Sequence, residues 1–116
     1  MSWLVVSIVG YLCGSIPFAY LLTRAATGED LRQVGSGNVG ATNALRRTGW
    51  WVGLAALALD AAKGAVAVWA GMWLGPRFGP LPSGAGELLG PGGAIVPAAT
   101  AGLAAMVGHV FPVWLR

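Results

Sequence analysis

Residues 2–23 read SWLVVSIVGYLCGSIPFAYLLT and contain no charged side chain. About 20 consecutive apolar residues are enough for a helix to cross the hydrocarbon core of a bilayer. Two further apolar runs lie at residues 49–75 and 93–115, and only 9% of the 116 residues are charged. Because soluble domains carry roughly 25% charged residues, the sequence predicts an all-α, multi-pass membrane protein. We expect one integral membrane domain over residues 1–116, with about three transmembrane helices at about 2–23, 49–75 and 93–115.

The first apolar run carries two features that bear on helix packing. Gly10 and Gly14 are four residues apart, a spacing that lets a neighbouring membrane helix approach closely. Pro17 has no backbone N–H, so we expect it to kink or distort the helix and to free a carbonyl that a neighbour must bind. A signal peptide would need basic residues before Trp3, and none is present, so we interpret the run as a retained membrane helix.

The most polar part of the chain separates the first two apolar runs. Residues 24–47 hold six of the eleven charged residues, and residues 29–47 read EDLRQVGSGNVGATNALRR. Glycines permit positive φ and close approach of a ligand, and successive backbone N–H groups in such a turn can bind an anion. Hydroxyl, amide and guanidinium groups beside the glycines add donors for a phosphate. The residues expected at this phosphate site are Gly35, Ser36, Gly37, Asn38, Gly40, Thr42, Asn43 and Arg46.

The glycines of this loop have two other interpretations. Gly35, Gly37 and Gly40 match the dinucleotide-binding fingerprint, but that motif follows a β-strand in a βαβ unit, and here the preceding element is an apolar helix. A plain turn between two membrane helices explains the glycines but not the polar side chains beside them. We therefore favour a cytoplasmic, Gly-rich loop that binds phosphate at the membrane surface.

Three ionisable side chains fall inside the second and third apolar runs. Asp60 and Lys63 are three residues apart, so they lie on one helical face and can pair. An unpaired charge at membrane depth is costly, so Lys63 either forms a neutralising ion pair or reaches toward an anionic ligand. His109, in the third run, is either a packing residue or a ligand contact. Lys63 and His109 are the remaining expected substrate-binding residues.

The sequence predicts no metal and no cofactor. His109 is the only histidine and Cys13 is the only cysteine, so the clustered ligands of a metal site are missing and no intrachain disulfide can form. No nucleic-acid-binding motif is present, and the expected surroundings are membrane lipid.

The distribution of arginines and tryptophans predicts the orientation in the membrane. The loop at residues 24–47 carries four arginines, so the positive-inside rule puts it in the cytoplasm. The start of the chain and the Pro- and Gly-rich connection at residues 74–93 then lie outside. All six tryptophans fall near ends of apolar runs, as in an aromatic belt; they are Trp3, Trp50, Trp51, Trp69, Trp73 and Trp114.

Three stretches together resemble one enzyme family. They are GSIPFAY at residues 14–20, DLRQVGSGNVGATN at residues 30–43 and GHVFP at residues 108–112. The chain resembles the N-terminal part of the bacterial acyl-phosphate:glycerol-3-phosphate acyltransferases, the PlsY family. The resemblance implies an enzyme of the bacterial inner membrane whose active site faces the cytoplasm. It would move a fatty acyl group from acyl phosphate to the 1-hydroxyl of glycerol 3-phosphate, giving lysophosphatidate for phospholipid biosynthesis.

The resemblance also implies roles for individual residues. Ser36 and Arg46 are the expected catalytic residues, and the other loop residues, with Lys63 and His109, are expected to bind the two substrates. In the family the phosphate of the donor is taken to act as the base, which agrees with the lack of a visible catalytic triad. Soluble-type glycerolipid acyltransferases have an Asp five residues after a His, whereas here that position is Trp114.

The chain departs from the family pattern at its end. Family members continue past the stretch at residues 108–112 into a second glycine- and lysine-containing phosphate loop and a late histidine motif, whereas this sequence stops at Arg116. We therefore expect either a fragment or a truncated relative, and we expect residues 1–116 alone to be inactive.

Two other functions are compatible with the same features. A fragment of a small-anion transporter or channel also uses glycine loops and membrane charges, but no internal repeat of the transporter kind is visible. A structural packing subunit would explain three glycine pairs at four-residue spacing, namely residues 10 and 14, 49 and 53, and 71 and 75. The packing subunit leaves the polar loop unexplained.

Overall fold

A computed structural model describes residues 2–77 and 93–115 of the chain. Within these residues the protein forms five α-helices and no β-strand. The helices are α1 (Ser2–Ser15), α2 (Phe18–Thr27), α3 (Ala41–Thr48), α4 (Trp50–Leu74) and α5 (Ile95–Val110). Short 3-10 turns at Gly75–Arg77 and Val113–Leu115 follow α4 and α5. Most of the connection predicted at residues 74–93, including Glu87, lies outside the described residues.

Three stretches of the described chain are long and apolar enough to cross a membrane: Trp3–Thr27, Trp50–Arg77 and Ile95–Leu115. Large apolar side chains on them face outward, and Leu4 and Leu103 are each 65% exposed. Such surface is stable against lipid tails and costly against water. The prediction of an all-α membrane protein with about three spans is therefore confirmed.

The first span is interrupted where the sequence carries Pro17. Helix α1 ends at Ser15 and α2 begins at Phe18, because the proline ring has no N–H to continue the helical hydrogen bonds. The Ile16 N–H instead bonds the Cys13 carbonyl at 3.4 Å. The expected distortion at Pro17 is confirmed as a break. Beyond it the helix continues four residues past the predicted end at residue 23, to Thr27.

Contacts within the chain divide it into two compact units, one made of residues 1–16 and 63–116 and the other of residues 17–62. In the first unit α1 packs closely on α5 through small residues. A Cβ added at Gly10 would lie 2.9 Å from the Ala101 Cα, and one added at Gly14 would overlap the Ala105 carbonyl oxygen. The predicted close-packing face of Gly10 and Gly14 is therefore confirmed.

The second unit holds α2, the polar loop, α3 and the first half of α4. The left-handed φ of 75° at Gly28 ends α2, where the Gly28 N–H bonds the Arg24 carbonyl at 2.9 Å, the usual glycine cap of a helix. Gly49, with φ of 93°, separates α3 from α4. Gly53 then lets α4 pack against Leu45 of α3, since an added Cβ would lie 2.7 Å from the Leu45 Cα. This arrangement fixes α3 beside the end of the polar loop.

A candidate phosphate site in the polar loop

The Asn43 side chain organises the polar loop. It is only 3% exposed, and its amide nitrogen donates to the carbonyl oxygens of Leu31 (3.3 Å), Val34 (3.0 Å) and Asn38 (2.8 Å). Its amide oxygen accepts from the Ser36 N–H at 3.3 Å. Because both hydrogens and the oxygen of the amide are used inside the loop, Asn43 holds the loop, and its predicted contact with substrate stays a prediction.

The loop glycines adopt conformations that other residues disfavour. Gly35 and Gly37 have φ of 61° and 72°, in the left-handed region where a Cβ is strained. A Cβ on Gly35 would also overlap the Asn43 side-chain oxygen. These two glycines are therefore needed for the turn that wraps around Asn43.

Between Gly35 and Gly40, four backbone N–H groups donate to acceptors within the loop. They are Ser36 N–H to Asn43 Oδ1 (3.3 Å), Gly37 N–H to Val34 O (3.1 Å), Asn38 N–H to Ser36 Oγ (3.4 Å) and Gly40 N–H to Asn38 Oδ1 (3.1 Å). They therefore do not form the row of free donors that the glycine spacing predicted.

Free backbone donors lie instead at the start of α3. Gly40, extended at φ −89° and ψ 166°, precedes the helix, and no side chain caps it. The first helical bond runs from the Ala44 N–H to the Gly40 carbonyl, so the N–H groups of Ala41, Thr42 and Asn43 have no acceptor within the described residues. Unsatisfied N–H groups and the positive end of the helix dipole together favour an anion.

Asp30 and Arg32 form one of two ion pairs around the loop. The Arg32 guanidinium donates through Nε at 3.0 Å and through a terminal nitrogen at 2.6 Å to the two Asp30 oxygens, and it lies over the Tyr20 ring. The side-chain hydrogen bond from Arg32 lowers the pKa of Asp30 to about 2. The pair is therefore fully ionised at neutral pH, and Arg32 is occupied.

The other arginines of the loop differ in their partners. Arg47 forms an ion pair with Glu29 at 2.7 Å, and Arg24 donates to the Tyr20 hydroxyl at 3.0 Å. The Arg46 guanidinium is exposed and has no hydrogen bond or ion pair with any part of the chain that the structure describes. Arg46 is therefore the loop arginine left available for an external anion.

Thr42 and Arg46 lie on the same exposed face of α3. They are four residues apart, which places them one above the other on a helix, while Asn43 and Ala44 on the other side are buried. Helical side chains lean toward the N-terminus. This tendency favours an Arg46 side chain that reaches toward Thr42 and the free N–H groups at the start of α3.

An apolar groove begins at the same threonine. It has a volume of about 140 Å³ and runs between α3 and the first half of α4. The residues that line it are Ala41, Thr42, Leu45, Trp50, Gly53, Leu54 and Leu57. A polar, cationic face and a hydrocarbon-lined groove thus meet at Thr42, an arrangement suited to a molecule with an anionic head and an apolar tail.

Lys63 and His109 belong to the other compact unit. Lys63 is 7% exposed, and its ammonium donates to the Ile16 carbonyl at 2.7 Å. His109 is exposed in the last turn of α5. Their predicted substrate contacts, and the predicted pairing of Lys63 with Asp60, stay predictions. Within residues 2–77 and 93–115, no group of three or more His, Cys, Asp or Glu side chains is placed to hold a metal ion.

Sequence reasoning misses the two acids that occupy loop arginines. It treats Glu29 and Asp30 only as charges, although each fixes one arginine and so distinguishes Arg46 from its neighbours. The Asp30–Arg32 spacing is a local signal that could reveal one of these pairs. The pairing of Glu29 with Arg47, eighteen residues later, has no such signal because it depends on how the loop folds back.

Comparison with known proteins identifies a family for the chain. The family profile described as glycerol-3-phosphate acyltransferase matches residues 4–116. A protein named glycerol-3-phosphate acyltransferase from Anaeromyxobacter sp. (strain Fw109-5) is 46% identical over 112 residues, which cover 97% of this chain and 49% of the relative. Relatives of the same name from Rhizobium etli (strain ATCC 51251) and Gluconobacter oxydans (strain 621H) are 42% and 45% identical, over 99% and 97% of this chain.

The chain spans about half the length of the curated relatives that it matches. No solved structure is significantly similar to it. Because the family profile covers nearly the whole chain, and the relatives exceed 40% identity over nearly all of it, this protein belongs to the glycerol-3-phosphate acyltransferase family.

Proposed function

We propose that the whole gene product transfers a fatty acyl group from acyl phosphate to the 1-hydroxyl of glycerol 3-phosphate. The product is 1-acyl-glycerol 3-phosphate, the lysophosphatidate from which phospholipids are made. Family membership supports acyl transfer to glycerol 3-phosphate. The observation that supports a phosphate-bearing donor is the availability of Arg46. Its exposed guanidinium has no partner within the described residues, while the other loop arginines are bonded to side chains.

In this proposal a phosphate group binds at the start of α3. The N–H groups of Ala41 and Thr42 and the Thr42 hydroxyl donate to its oxygens, and Arg46 supplies the positive charge. Arginine suits this task because its planar fork can donate two parallel hydrogen bonds to one phosphate. Asn43 and the left-handed glycines keep the preceding loop in place, which orients Ser36 and Asn38 at the edge of the site.

The apolar groove then receives the acyl chain. A phosphate held near Thr42 puts the adjoining acyl chain at the mouth of the groove, whose walls are mainly aliphatic and aromatic. Burial of methylene groups contributes about 0.8 kcal/mol each. The groove therefore supports a donor that carries an apolar tail beside its phosphate over a fully polar phosphorylated metabolite.

The proposed chemical step needs no protein nucleophile. Acyl phosphate is a mixed anhydride, so its acyl carbon is already activated. The 1-hydroxyl oxygen of glycerol 3-phosphate forms the ester bond to that carbon, and the bond from the carbon to the phosphate oxygen breaks. The departing phosphate takes up the hydroxyl proton. Arg46 and the α3 N–H groups stabilise the charge that develops on the leaving phosphate, and Ser36 acts as a hydrogen-bond donor without becoming acylated.

The proposal includes an orientation. We infer that the polar loop faces the cytoplasm of a bacterial inner membrane, because the four arginines at residues 24–47 favour that side. Glycerol 3-phosphate is a water-soluble anion, and acyl phosphate has an anionic head group. A site at the cytoplasmic surface is therefore accessible to both substrates. The expected contacts of Lys63 and His109 with substrate remain part of the proposal.

Purified whole gene product, supplied with palmitoyl phosphate and glycerol 3-phosphate in detergent, tests the proposal. We expect 1-acyl-glycerol 3-phosphate to form, with linear early kinetics and no burst, since a burst marks a covalent intermediate. Mass spectrometry of the quenched protein should show no acyl group on Ser36. An acyl-Ser36 adduct would refute the direct transfer.

The second candidate function is the small-anion transporter. It is favoured by the same free Arg46 and by the buried Lys63 within a span. Proteoliposomes that take up phosphate or glycerol 3-phosphate, from protein that forms no lysophosphatidate, would replace the acyltransferase with this candidate. Product formation without uptake excludes it.

A further inference from the structure

The break in the first span leaves a backbone carbonyl that needs a partner. In an uninterrupted helix, the carbonyl oxygen of Ile16 would accept from the N–H of Tyr20, four residues later. Here α1 has ended at Ser15 and α2 starts only at Phe18. The last carbonyls of a helix lack intrahelical donors and carry the negative end of its dipole. Within a membrane span no water is at hand to satisfy them.

The Lys63 ammonium supplies that partner. Its Nζ atom lies 2.7 Å from the Ile16 oxygen, a short distance typical of a charge-assisted hydrogen bond. The residue is 7% exposed and sits within the span Trp50–Arg77. A charged side chain inside a membrane is costly unless it is paired or bound to backbone carbonyls, so the free carbonyl and the buried cation each offset the cost of the other.

We propose that Lys63 is a capping residue for the broken first span, and that its ammonium holds the carbonyl end of α1 instead of a substrate phosphate. This assignment rests on the observed contact and on helix chemistry, and it stands whether or not the protein is an acyltransferase. It also explains why a lysine occurs in a span that is otherwise rich in Ala, Val and Trp.

Ile16 and Lys63 flank the segment of the chain that carries the polar loop. Ile16 is the last residue of the first compact unit before the chain enters the second, and Lys63 is the first residue after it returns. Their hydrogen bond therefore ties together the two ends of residues 17–62, the segment that carries the polar loop.

A double-mutant cycle on the whole gene product in detergent tests the cap. Lys63→Met keeps the length of the side chain but removes its donors, and we expect the midpoint of thermal unfolding to fall by about 5 °C. Pro17→Ala restores an N–H and lets the helix run through, so the Ile16 carbonyl gains the Tyr20 N–H as a partner. In the Pro17→Ala background, Lys63→Met should lower the midpoint by less than half as much.

The cycle isolates the contact at the break, because every other contact of Lys63 cancels between the two backgrounds. Arg77→Met is the matched control, since Arg77 also lies in the second span and donates to a backbone carbonyl, that of Trp73 in the same span. Its effect should be the same with and without the Pro17→Ala substitution. A cost of Lys63→Met that is equal in both backgrounds would overturn the proposal.

Two further readouts keep the proposal testable if Pro17→Ala protein does not fold. Among single variants at position 63, the unfolding midpoint should follow the number of donors and the charge, with Lys and Arg above Gln and Gln above Met. A flat order would contradict the cap. Folded Lys63→Met protein should also keep its KM for glycerol 3-phosphate within about twofold. A lysine that caps a helix makes no contact with the substrate, so its loss removes no substrate-binding energy. A tenfold rise in KM with an unchanged midpoint would return Lys63 to the substrate site.

Discussion

At the residue scale, the polar loop divides into residues that hold its shape and residues that are free to act. Asn43 is buried and bonded to three carbonyls, so its amide is structural. Arg46 is exposed and available. The resemblance groups both as site residues because their types suit phosphate, and the hydrogen bonds of the folded loop separate their roles.

Asn43→Asp tests the structural role. The substitution keeps an oxygen for the Ser36 N–H but replaces the donor to three carbonyls with a second acceptor. Buried polar groups left without partners cost about 1–3 kcal/mol each, so the loop should open, with trypsin cleavage at Arg32 accelerated at least about tenfold. Gln33→Ala, at an exposed loop position, is the control and should cleave at the original rate. Equal cleavage of Asn43→Asp and the unaltered protein would show that the amide is not the organiser.

At the element scale, the helices are arranged by small residues and by one proline. Gly10 and Gly14 let α1 approach the backbone of α5, and Pro17 ends α1 inside the span. Both features are local in sequence, so they were predictable. They were predictable because the backbone of a membrane helix forms its hydrogen bonds within its own segment, and because proline acts on the helix that contains it.

Gly14→Ala and Gly64→Ala form a matched pair at this scale. A Cβ at Gly14 overlaps the Ala105 carbonyl, whereas a Cβ at Gly64 meets nothing within 4 Å. Overpacking typically costs about 1–3 kcal/mol, while alanine favours a helix by up to about 1 kcal/mol over glycine. We expect the thermal unfolding midpoint to fall for Gly14→Ala and to stay or rise for Gly64→Ala. Equal shifts would contradict the close α1–α5 contact.

The contacts of the polar loop, by contrast, were not predictable from local pattern. Asn43 bonds carbonyls between five and twelve residues earlier, and Glu29 pairs with a residue eighteen later. No periodicity encodes such pairs, because they exist only after Gly35 and Gly37 have turned the chain. For the same reason the sequence does not reveal that acceptors within the loop occupy the N–H groups of Ser36, Gly37, Asn38 and Gly40.

At the scale of the whole molecule, the proposed function requires the polar loop to lie on the cytoplasmic side of the membrane. In a background with Cys13→Ala, we expect Gln33→Cys to react with a membrane-impermeant thiol reagent only after the cells are opened. Arg77→Cys, at the other end of a span, should react in intact cells. The four arginines of the loop are the reason. Labelling of position 33 from the periplasmic side would reverse the proposed topology.

The central claim, that the Arg46 face of α3 binds the phosphate of the donor, is tested most directly by comparing Arg46 with the adjacent Arg47 in acyl-transfer assays of the whole gene product. Loss of a charge-assisted contact in the transition state typically costs about 3 kcal/mol, so Arg46→Ala should lower kcat/KM roughly a hundredfold. Arg46→Lys should restore little of it, because an ammonium lacks the planar fork. Arg47→Ala breaks only an exposed ion pair with Glu29, and surface pairs contribute at most about 1 kcal/mol, so its kcat/KM should fall less than about fivefold. Full activity in Arg46→Ala, or equal losses at the two positions, would contradict the account.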